Sequence, residues 1–286
     1  MGKHIFSRLL FTMLIFSMLG GCTVMQAAKA RLEPRDQFLP SSVHPQVRFR
    51  PGSEDMARRM AVALDASIAV VEKQHGRPFL EPPTVYVCDA DCFVRFSTFR
   101  PSVPAGHFMD SVFMNDPDLR SKERQSGMAP ENFLVHELTH LMFYQYAGAA
   151  AYMSTPAWFR EGWAVVVSDG AGAQACTPEE AARILLAGSS FDPEEEGSLF
   201  RNRTASSYGL RYPVFYRQAA MFVSYLRQID TAAFQVALHA LLGGERFQAA
   251  FERAYGKPVS SHWASFKQSI RETASPAHRQ TETLLP

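Results

Sequence analysis

Residues 133–140 read FLVHELTH, and this stretch decides how the whole chain is interpreted. In a helix, His136 and His140 lie one turn apart on the same face, so both imidazoles can bind one metal ion. Glu137 then lies beside the first ligand, where it can accept a proton from a metal-bound water without entering the coordination shell. The alternative is an ordinary amphipathic helix on which two histidines and a glutamate happen to have this spacing.

The flanking residues predict a helix over residues 130–147. Pro130 and Glu131 stand in the first turn, where proline and acidic side chains are favoured. Apolar residues follow at helical spacing, and Gly148 ends the run. A helix holds the two histidines and the glutamate rigidly, because its hydrogen bonds set their backbone positions.

A third ligand is predicted in the stretch PAWFREGWA, residues 156–164. Catalytic zinc takes three protein ligands and leaves one position open for water, and two histidines with one carboxylate satisfy this requirement. Glu161 fits because it follows a proline that marks a helix start and lies among apolar residues, where a carboxylate needs a cationic partner. The alternative is an ion pair between Glu161 and Arg160 or another arginine.

Together with YRQAAMFVSYL at residues 216–226, these stretches resemble the gluzincin branch of zinc metallopeptidases and, within it, the bacterial peptidase MA-like proteins. The resemblance covers about residues 47–270. It implies an α+β, zincin-like fold. A small mixed α/β N-terminal lobe would place an edge strand at the cleft, and the C-terminal lobe would be mostly helical.

The resemblance also implies a zinc-dependent peptide-bond hydrolase. His136, His140 and Glu161 would bind Zn2+, and Glu137 would be the general base that activates the zinc-bound water. Endopeptidase action on polypeptides or peptides of the bacterial cell envelope is the expected activity. In gluzincins an edge strand pairs with the substrate backbone, and residues 106–113 would take this part. His107 would then lie near the cleft, although a solvent-facing strand position also suits it.

Two further features of the site follow from the resemblance. Gluzincins commonly supply a tyrosine or histidine from a later helix to stabilise the oxyanion. Tyr216 is the first candidate, with Tyr212 and Tyr208 as alternatives, and each can instead pack its ring with the hydroxyl at the surface. Val165 departs from the family pattern, since an acidic residue often stands there and supports a zinc-bound histidine. Asp169 or a backbone carbonyl would give this support instead, or the site would bind metal less tightly and turn over slowly.

The N-terminus resembles a bacterial lipoprotein signal. Lys3 and Arg8 give it positive charge, residues 9–19 form an apolar run too short to span a membrane, and the letters LGGC end at Cys22. This implies cleavage before Cys22, lipid on that cysteine and a membrane anchor rather than a membrane span. Thr23 follows the cysteine, which favours the outer membrane, facing the periplasm. The alternative is an ordinary secretory signal with a chance cysteine.

These features divide the chain into a lipoprotein signal peptide (1–21), a tether (22–46), an N-terminal α/β lobe (47–128), a helical zinc-binding catalytic lobe (129–272) and a C-terminal tail (273–286). Without the signal and the tether, about 240 residues remain, enough for one core or two tightly joined lobes. The formal net charge is +1 with both signs interspersed, so composition gives no indication of nucleic-acid binding.

The part that follows Glu161 is predicted to be helical. Between two of its helices, residues 187–209 are rich in glycine and serine and carry an acidic run, which indicates either a lid over the cleft or a solvated surface loop. The helices themselves are indicated by periodicity with glycine breaks at residues 178–187, 213–228, 231–242, 245–255 and 259–272.

The chain has four cysteines. If Cys22 carries lipid, an oxidising envelope favours a local disulfide between Cys88 and Cys92. A metal site at this pair would need two further ligands nearby, and free thiols are the other alternative. Cys176 is then expected to be unpaired.

Two other classes of function stay open. The first is an envelope lipoprotein whose zincin-like cleft binds or chaperones polypeptides with little or no turnover. The second is a structural zinc protein, in which the metal only holds two helices together. Glu137 favours catalysis, because a structural site needs no base and normally has no open coordination position. Val165 weighs against an efficient enzyme.

Overall fold

The computed structural model describes residues 25–198 and 202–274, which form an α+β fold. Within these ranges the strands are β1 (Leu39–Pro40), β2 (Val47–Phe49), β3 (Thr84–Cys88), β4 (Ala105–Phe108) and β5 (Ser111–Asn115). The helices are α1 (residues 25–32), α2 (Glu54–His75), α3 (Ala90–Ser97), α4 (Asp116–Ser126), α5 (Pro130–Ser154), α6 (Ala157–Val167), α7 (Pro178–Leu186), α8 (Tyr212–Ile229), α9 (Thr231–Leu242), α10 (Phe247–Tyr255) and α11 (Val259–Ala274). A short 3-10 helix, Ala205–Tyr208, precedes α8.

The strands form one mixed sheet in the order β1-β2-β3-β5-β4. β2, β3 and β5 are parallel, whereas β1 and β4 run antiparallel to their neighbours. β4 is therefore an edge strand. Residues 106–113, predicted as one edge strand, instead form part of a hairpin that reverses at Met109, whose φ is 55°. This turn contains neither Gly, Asn nor Pro, so Asp110 and the following Ser111 are the only turn-type residues in the sequence there.

The two faces of the sheet pack differently. On the inner face, Val85, Val87, Val112 and Met114 belong to the main hydrophobic core, which continues into the helical half of the molecule. The outer face packs against α3 in a smaller aromatic cluster, which contains Phe38, Tyr86, Cys88, Cys92, Phe93, Phe96 and Phe113. The inner face is the one that meets α2 and α5, so it positions β4 against the helix that carries His136 and His140.

The outer face also holds the N-terminal segment and a disulfide. Phe38, which lies in the predicted tether of residues 22–46, is 1% exposed and packs edge-on against Tyr86. A disulfide joins Cys88 at the end of β3 to Cys92 in α3. Cys176 is buried with a free thiol.

α5 begins at Pro130 and is interrupted at Gly148, both as the sequence predicts, and a second helical segment follows the kink as far as Ser154. Gly148 has φ 74° and ψ 166°, a conformation that glycine adopts at little cost. Three alanines at residues 149–151 then favour the helical conformation again. The helical segment after Gly148 places Tyr152, which is only 8% exposed, edge-on beside the ring of His140.

α6 packs closely against α8 and is tied to α5. At Gly162 a Cβ atom would lie 2.7 Å from the carbonyl oxygen of Ala219, so no larger residue fits without a shift of α6 or α8. The Asn132 side chain donates from Nδ2 to the Ser168 carbonyl at 2.8 Å, which joins the start of α5 to the end of α6. These contacts fix where Glu161 lies relative to the two histidines.

The helices predicted after Glu161 all occur, with ends close to the predicted ones. In its described part, residues 187–198, the acidic loop is fastened to this helical half. The Glu194 carbonyl accepts a hydrogen bond from Trp158 Nε1 at 3.0 Å, and the Glu195 carboxylate accepts one from Ser260 Oγ at 2.9 Å. This part is therefore a packed surface loop. Across the described ranges, every helix is too short or too polar to cross a bilayer.

Gly162→Ala is expected to destabilise the protein by roughly 1–3 kcal/mol, because the added methyl group overlaps the Ala219 carbonyl and forces α6 away from α8. Urea unfolding followed by circular dichroism measures the change. Gly243→Ala is the matched control, since a Cβ there would lie 3.2 Å from the Ala240 carbonyl oxygen, and it should change stability much less. Equal effects of the two substitutions would contradict the close approach of α6 and α8.

Candidate metal centre

Two imidazoles and one carboxylate converge on a single point between α5 and α6. His136 Nε2 and His140 Nε2 lie 3.2 Å apart, one turn from each other on α5. Glu161 Oε2, from the middle of α6, lies 3.4 Å from each of these nitrogens. Both histidines are buried and Glu161 is partly buried. The structure thus brings the three predicted ligands together as a candidate metal site.

The dimensions of this cluster fit a tetrahedral metal ion. Bonds of about 2.0–2.1 Å at tetrahedral angles place neighbouring donor atoms about 3.4 Å apart. The edges of the observed triangle, 3.2, 3.4 and 3.4 Å, match this requirement. A cation at the centre would satisfy all three donors at once, and a fourth position would remain for water or substrate.

The charges of the cluster also favour a cation. Burial alone raises the pKa of Glu161, but the charge of His140 and hydrogen bonds from both histidines lower it well below its usual range. Burial alone lowers the pKa of His136, but the hydrogen bond to Glu161 and the negative charges of Glu137 and Glu161 raise it above the ordinary value. Both shifts arise from the pairing of the Glu161 carboxylate with the two imidazoles.

Glu137 lies beside the cluster but outside the ligand set. Its Oε2 accepts a hydrogen bond of 2.7 Å from the backbone N–H of His107 in β4. Burial raises the pKa of its carboxyl, and the neighbouring His136 and His140 oppose that shift. The edge strand thus orients the carboxylate that the sequence predicts as the base.

Tyr216, from α8, forms one wall of the site. Its ring stacks on His136 with centroids 6.2 Å apart and an angle of 17° between the ring planes. Burial and the negative charges of Glu161 and Glu137 raise the pKa of its hydroxyl well above the usual range. The hydroxyl of Tyr208 instead donates to the Asp192 carbonyl at 3.0 Å, and Tyr212 is 54% exposed. Of the three tyrosine candidates, Tyr216 is therefore the one beside the cluster.

The region around Val165 explains how His136 is supported without a neighbouring acid. Val165 packs in a small apolar cluster with Ala173 and Ala220. Asp169 is exposed, whereas the carbonyl of Ala171 acts on the His136 ring and contributes to its raised pKa. His136 Nδ1 nevertheless makes no hydrogen bond of ordinary geometry among the described residues. The structure therefore favours the Ala171 carbonyl over the exposed Asp169 as the group beside the His136 ring.

The opposite wall was not predicted from the sequence. Tyr152 lies edge-on to His140, with ring centroids 6.2 Å apart, and Arg160 lies over the Tyr152 ring at 4.4 Å. His107 packs its ring 5.5 Å from Tyr152 and 5.0 Å from Tyr144, so it faces these aromatic rings rather than solvent. The sequence predicts no element between Gly148 and Pro156, so it does not place Tyr152, which lies in the helical segment after the kink at Gly148. Arg160 was considered only as a partner of Glu161, with which it forms no ion pair here.

A cavity of about 550 Å³ opens one helical turn beyond His140, at Tyr144. Its lining includes Tyr86 and Ser111 from the sheet and Asp110 from the turn between β4 and β5. None of the three donor residues of the cluster lines it. No residue of β4 lines it either, so this cavity is separate from the donor cluster.

No protein-family model matches this chain, and no curated protein is significantly similar to it in sequence. The candidate site is consequently defined by the geometry of its own residues. The donor triangle, the carboxylate of Glu137 and the two aromatic walls are the features from which a function can be inferred.

Elemental analysis of the purified protein should find about one metal ion per chain, because three ligands that converge from two rigid helices form a high-affinity site. Glu161→Ala removes one of the three donors and should lower the metal content sharply. Glu179→Ala, which changes an exposed carboxylate on α7, is the control and should leave the content unchanged. Equal metal content in the parent and Glu161→Ala would show that Glu161 is not a ligand.

Proposed function

We propose that this protein is a zinc-dependent peptide-bond hydrolase of the gluzincin type, which acts as an endopeptidase in the bacterial cell envelope. The observation that carries the proposal is the donor triangle of His136, His140 and Glu161, with Glu137 held beside it by the edge strand. Two imidazoles with one carboxylate and an open position are a ligand set of catalytic zinc. A purely structural site would need no buried carboxylate at the position of Glu137.

The residues around the triangle suit hydrolysis of an amide. Zinc, when bound, polarises a carbonyl and lowers the pKa of its water to about 7. Glu137 would accept the proton from the attacking water and pass it to the leaving amine, as its position just outside the ligand set allows. The hydroxyl of Tyr216 would donate a hydrogen bond to the oxyanion that develops on the substrate.

The edge strand would hold the substrate backbone. The N–H of His107 points to Glu137, away from β5, and in antiparallel pairing the carbonyl of the same residue points the same way. This carbonyl can accept a hydrogen bond from a peptide N–H that lies along β4. An extended polypeptide placed there has its amide bonds next to Glu137 and the zinc ligands.

Endopeptidase action is favoured over aminopeptidase action by the state of the acidic groups. An aminopeptidase needs a carboxylate that is free to bind the substrate amine. In the described part of the chain, Glu161 is engaged by the two histidines and Glu137 by the His107 N–H. Neither is left to bind an N-terminus.

Two observations support the cell envelope as the location. The disulfide between Cys88 and Cys92 suits an oxidising compartment. The sequence up to Cys22 resembles a lipoprotein signal, although Cys22 itself lies outside the described residues. We propose a protein anchored by lipid on Cys22 in the outer membrane, facing the periplasm.

Glu137→Gln should abolish hydrolysis while the fold and the bound metal are retained. Amide and carboxylate have nearly the same size, and the amide oxygen can still accept the His107 hydrogen bond. The expected loss in kcat is on the order of 10²–10⁴-fold, the usual contribution of a general base. Cleavage of a mixture of quenched fluorescent peptides measures it, and Glu179→Gln is the surface control. If the parent protein binds these peptides but never cleaves them, a binding function replaces the hydrolase.

Cys22→Ala should move the protein from the membrane fraction to the soluble fraction, because a lipid chain on this cysteine is the proposed anchor. Cell fractionation followed by immunoblotting measures the distribution, with Cys176→Ala as the control that keeps Cys22. Membrane association that persists in Cys22→Ala would contradict the lipid anchor.

A further inference from the structure

Arg160 is a buried cation for which the proposed reaction has no use. It directly precedes Glu161 and is only 8% exposed. Among the described residues it forms no ion pair, whereas buried arginines are normally paired with a carboxylate. Its Nε donates to the Thr155 carbonyl at 3.0 Å, and its guanidinium carbon lies 4.4 Å from the centroid of the Tyr152 ring. These contacts position the side chain but do not neutralise it.

No carboxylate of the described residues reaches the two terminal nitrogens of Arg160. Apart from the nearby Tyr152 hydroxyl, no acceptor in the described ranges contacts them. They are not among the fully buried polar atoms that lack a partner, so each is either in reach of solvent or in contact with the Tyr152 hydroxyl. The guanidinium thus keeps N–H donors that no carboxylate of the described residues occupies, in a geometry that can match a carboxylate.

This group lies next to the reacting centre. Arg160 lies over the Tyr152 ring. This ring is perpendicular to that of His140, with centroids 6.2 Å apart, and its centroid lies 5.5 Å from that of His107. The field of Arg160 reaches these neighbours: burial lowers the pKa of His107 to about 3, and the positive charges of His140 and Arg160 contribute to that shift. Arg160 is therefore separated from a zinc ligand and from the edge strand by a single aromatic ring.

The nearby acids do not compensate this charge. Glu161 is engaged by the two histidines, and Glu137 accepts the His107 N–H. A divalent ion in the donor triangle would balance both carboxylates and leave Arg160 without a counter-charge. A substrate that supplies a negative group beside the cleaved bond would provide it.

We infer that Arg160 is a specificity-determining residue that binds a carboxylate of the substrate next to the bond to be cleaved. The inference rests on the proposed function, and it adds the chemical class of the substrate. The carboxylate can come from an acidic side chain or from the C-terminus of the peptide. If Arg160 binds an acidic side chain, the protein is an endopeptidase. If it binds the C-terminal carboxylate, the protein is a carboxypeptidase.

Binding to zinc-loaded Glu137→Gln protein tests the inference without turnover. Three mixtures of N-acetylated tetrapeptides serve as probes: uncharged side chains with a C-terminal amide, the same peptides with a free C-terminal carboxylate, and amidated peptides with one glutamate. Isothermal titration calorimetry measures the affinity for each. At least one carboxylate-bearing mixture should bind roughly 10- to 100-fold more tightly than the uncharged amides, the range of charge-assisted hydrogen bonds. The mixture that binds more tightly shows whether the carboxylate comes from the C-terminus or from an acidic side chain.

Arg160→Gln in the Glu137→Gln protein should remove this preference and leave the affinity for the uncharged amides unchanged. Arg160→Lys should retain part of it, because lysine keeps the charge but not the two-pronged geometry. Arg77→Gln is the matched control, since Arg77 also lies over a tyrosine ring, 5.2 Å from the centroid of Tyr146, without being part of the cluster wall. It should keep the full preference.

The outcomes separate the two proposals. A parent protein without preference for carboxylates, an equal loss for all three mixtures in Arg160→Gln, or no binding of any mixture would overturn the role of Arg160. If carboxylate peptides bind through Arg160 but the protein with intact Glu137 cleaves none of them, the anion-binding role stands and the hydrolase fails.

Discussion

The convergence of His136, His140 and Glu161 is the constraint on which the rest of the structure depends. Three donor atoms lie 3.2 to 3.4 Å from one another in a mostly buried position, and a cation is what this arrangement stabilises. α5 alone can place the two histidines, since their spacing is a property of the helix. Glu161 reaches them only if α6 is held at a fixed distance from α5.

Packing around α6 supplies that fixed distance. Gly162 lets the backbone of α6 approach α8 at Ala219, and no side chain separates the two helices there. On another side, Trp163 Nε1 donates to His75 Nε2 at 3.0 Å, while His75 Nδ1 donates to the Val71 carbonyl at 2.8 Å. Burial lowers the pKa of His75 to about 4, so it stays neutral and can accept the Trp163 hydrogen bond at ordinary pH. The residues on both sides of Glu161 thus hold α6 in place.

The cluster lies between two walls that differ in chemistry. On the side of α8, Tyr216 stacks on His136 and places a hydroxyl near the two carboxylates. On the other side, Tyr152 carries Arg160, whose charge has no partner among the described residues. β4 closes the site and orients Glu137 through a backbone N–H. A neutral hydroxyl donor thus lies on one side of the cluster and a cation on the other, and in the proposed function this asymmetry would orient the substrate.

The sequence by itself determined the features that depend on local spacing: the helix that carries His136 and His140, the glutamate beside them and the helices that follow Glu161. A periodicity of 3.6 residues fixes which side chains share a helix face, so these can be predicted without knowing the fold. The sequence also indicated Glu161 as a third donor, because a carboxylate among apolar residues needs a cationic partner. Only the tertiary structure decided the order of the strands, the hairpin at Met109, the helical segment after Gly148 that contains Tyr152 and the position of Arg160 over the Tyr152 ring. These depend on contacts between segments far apart in the chain, and packing rather than local pattern sets such contacts.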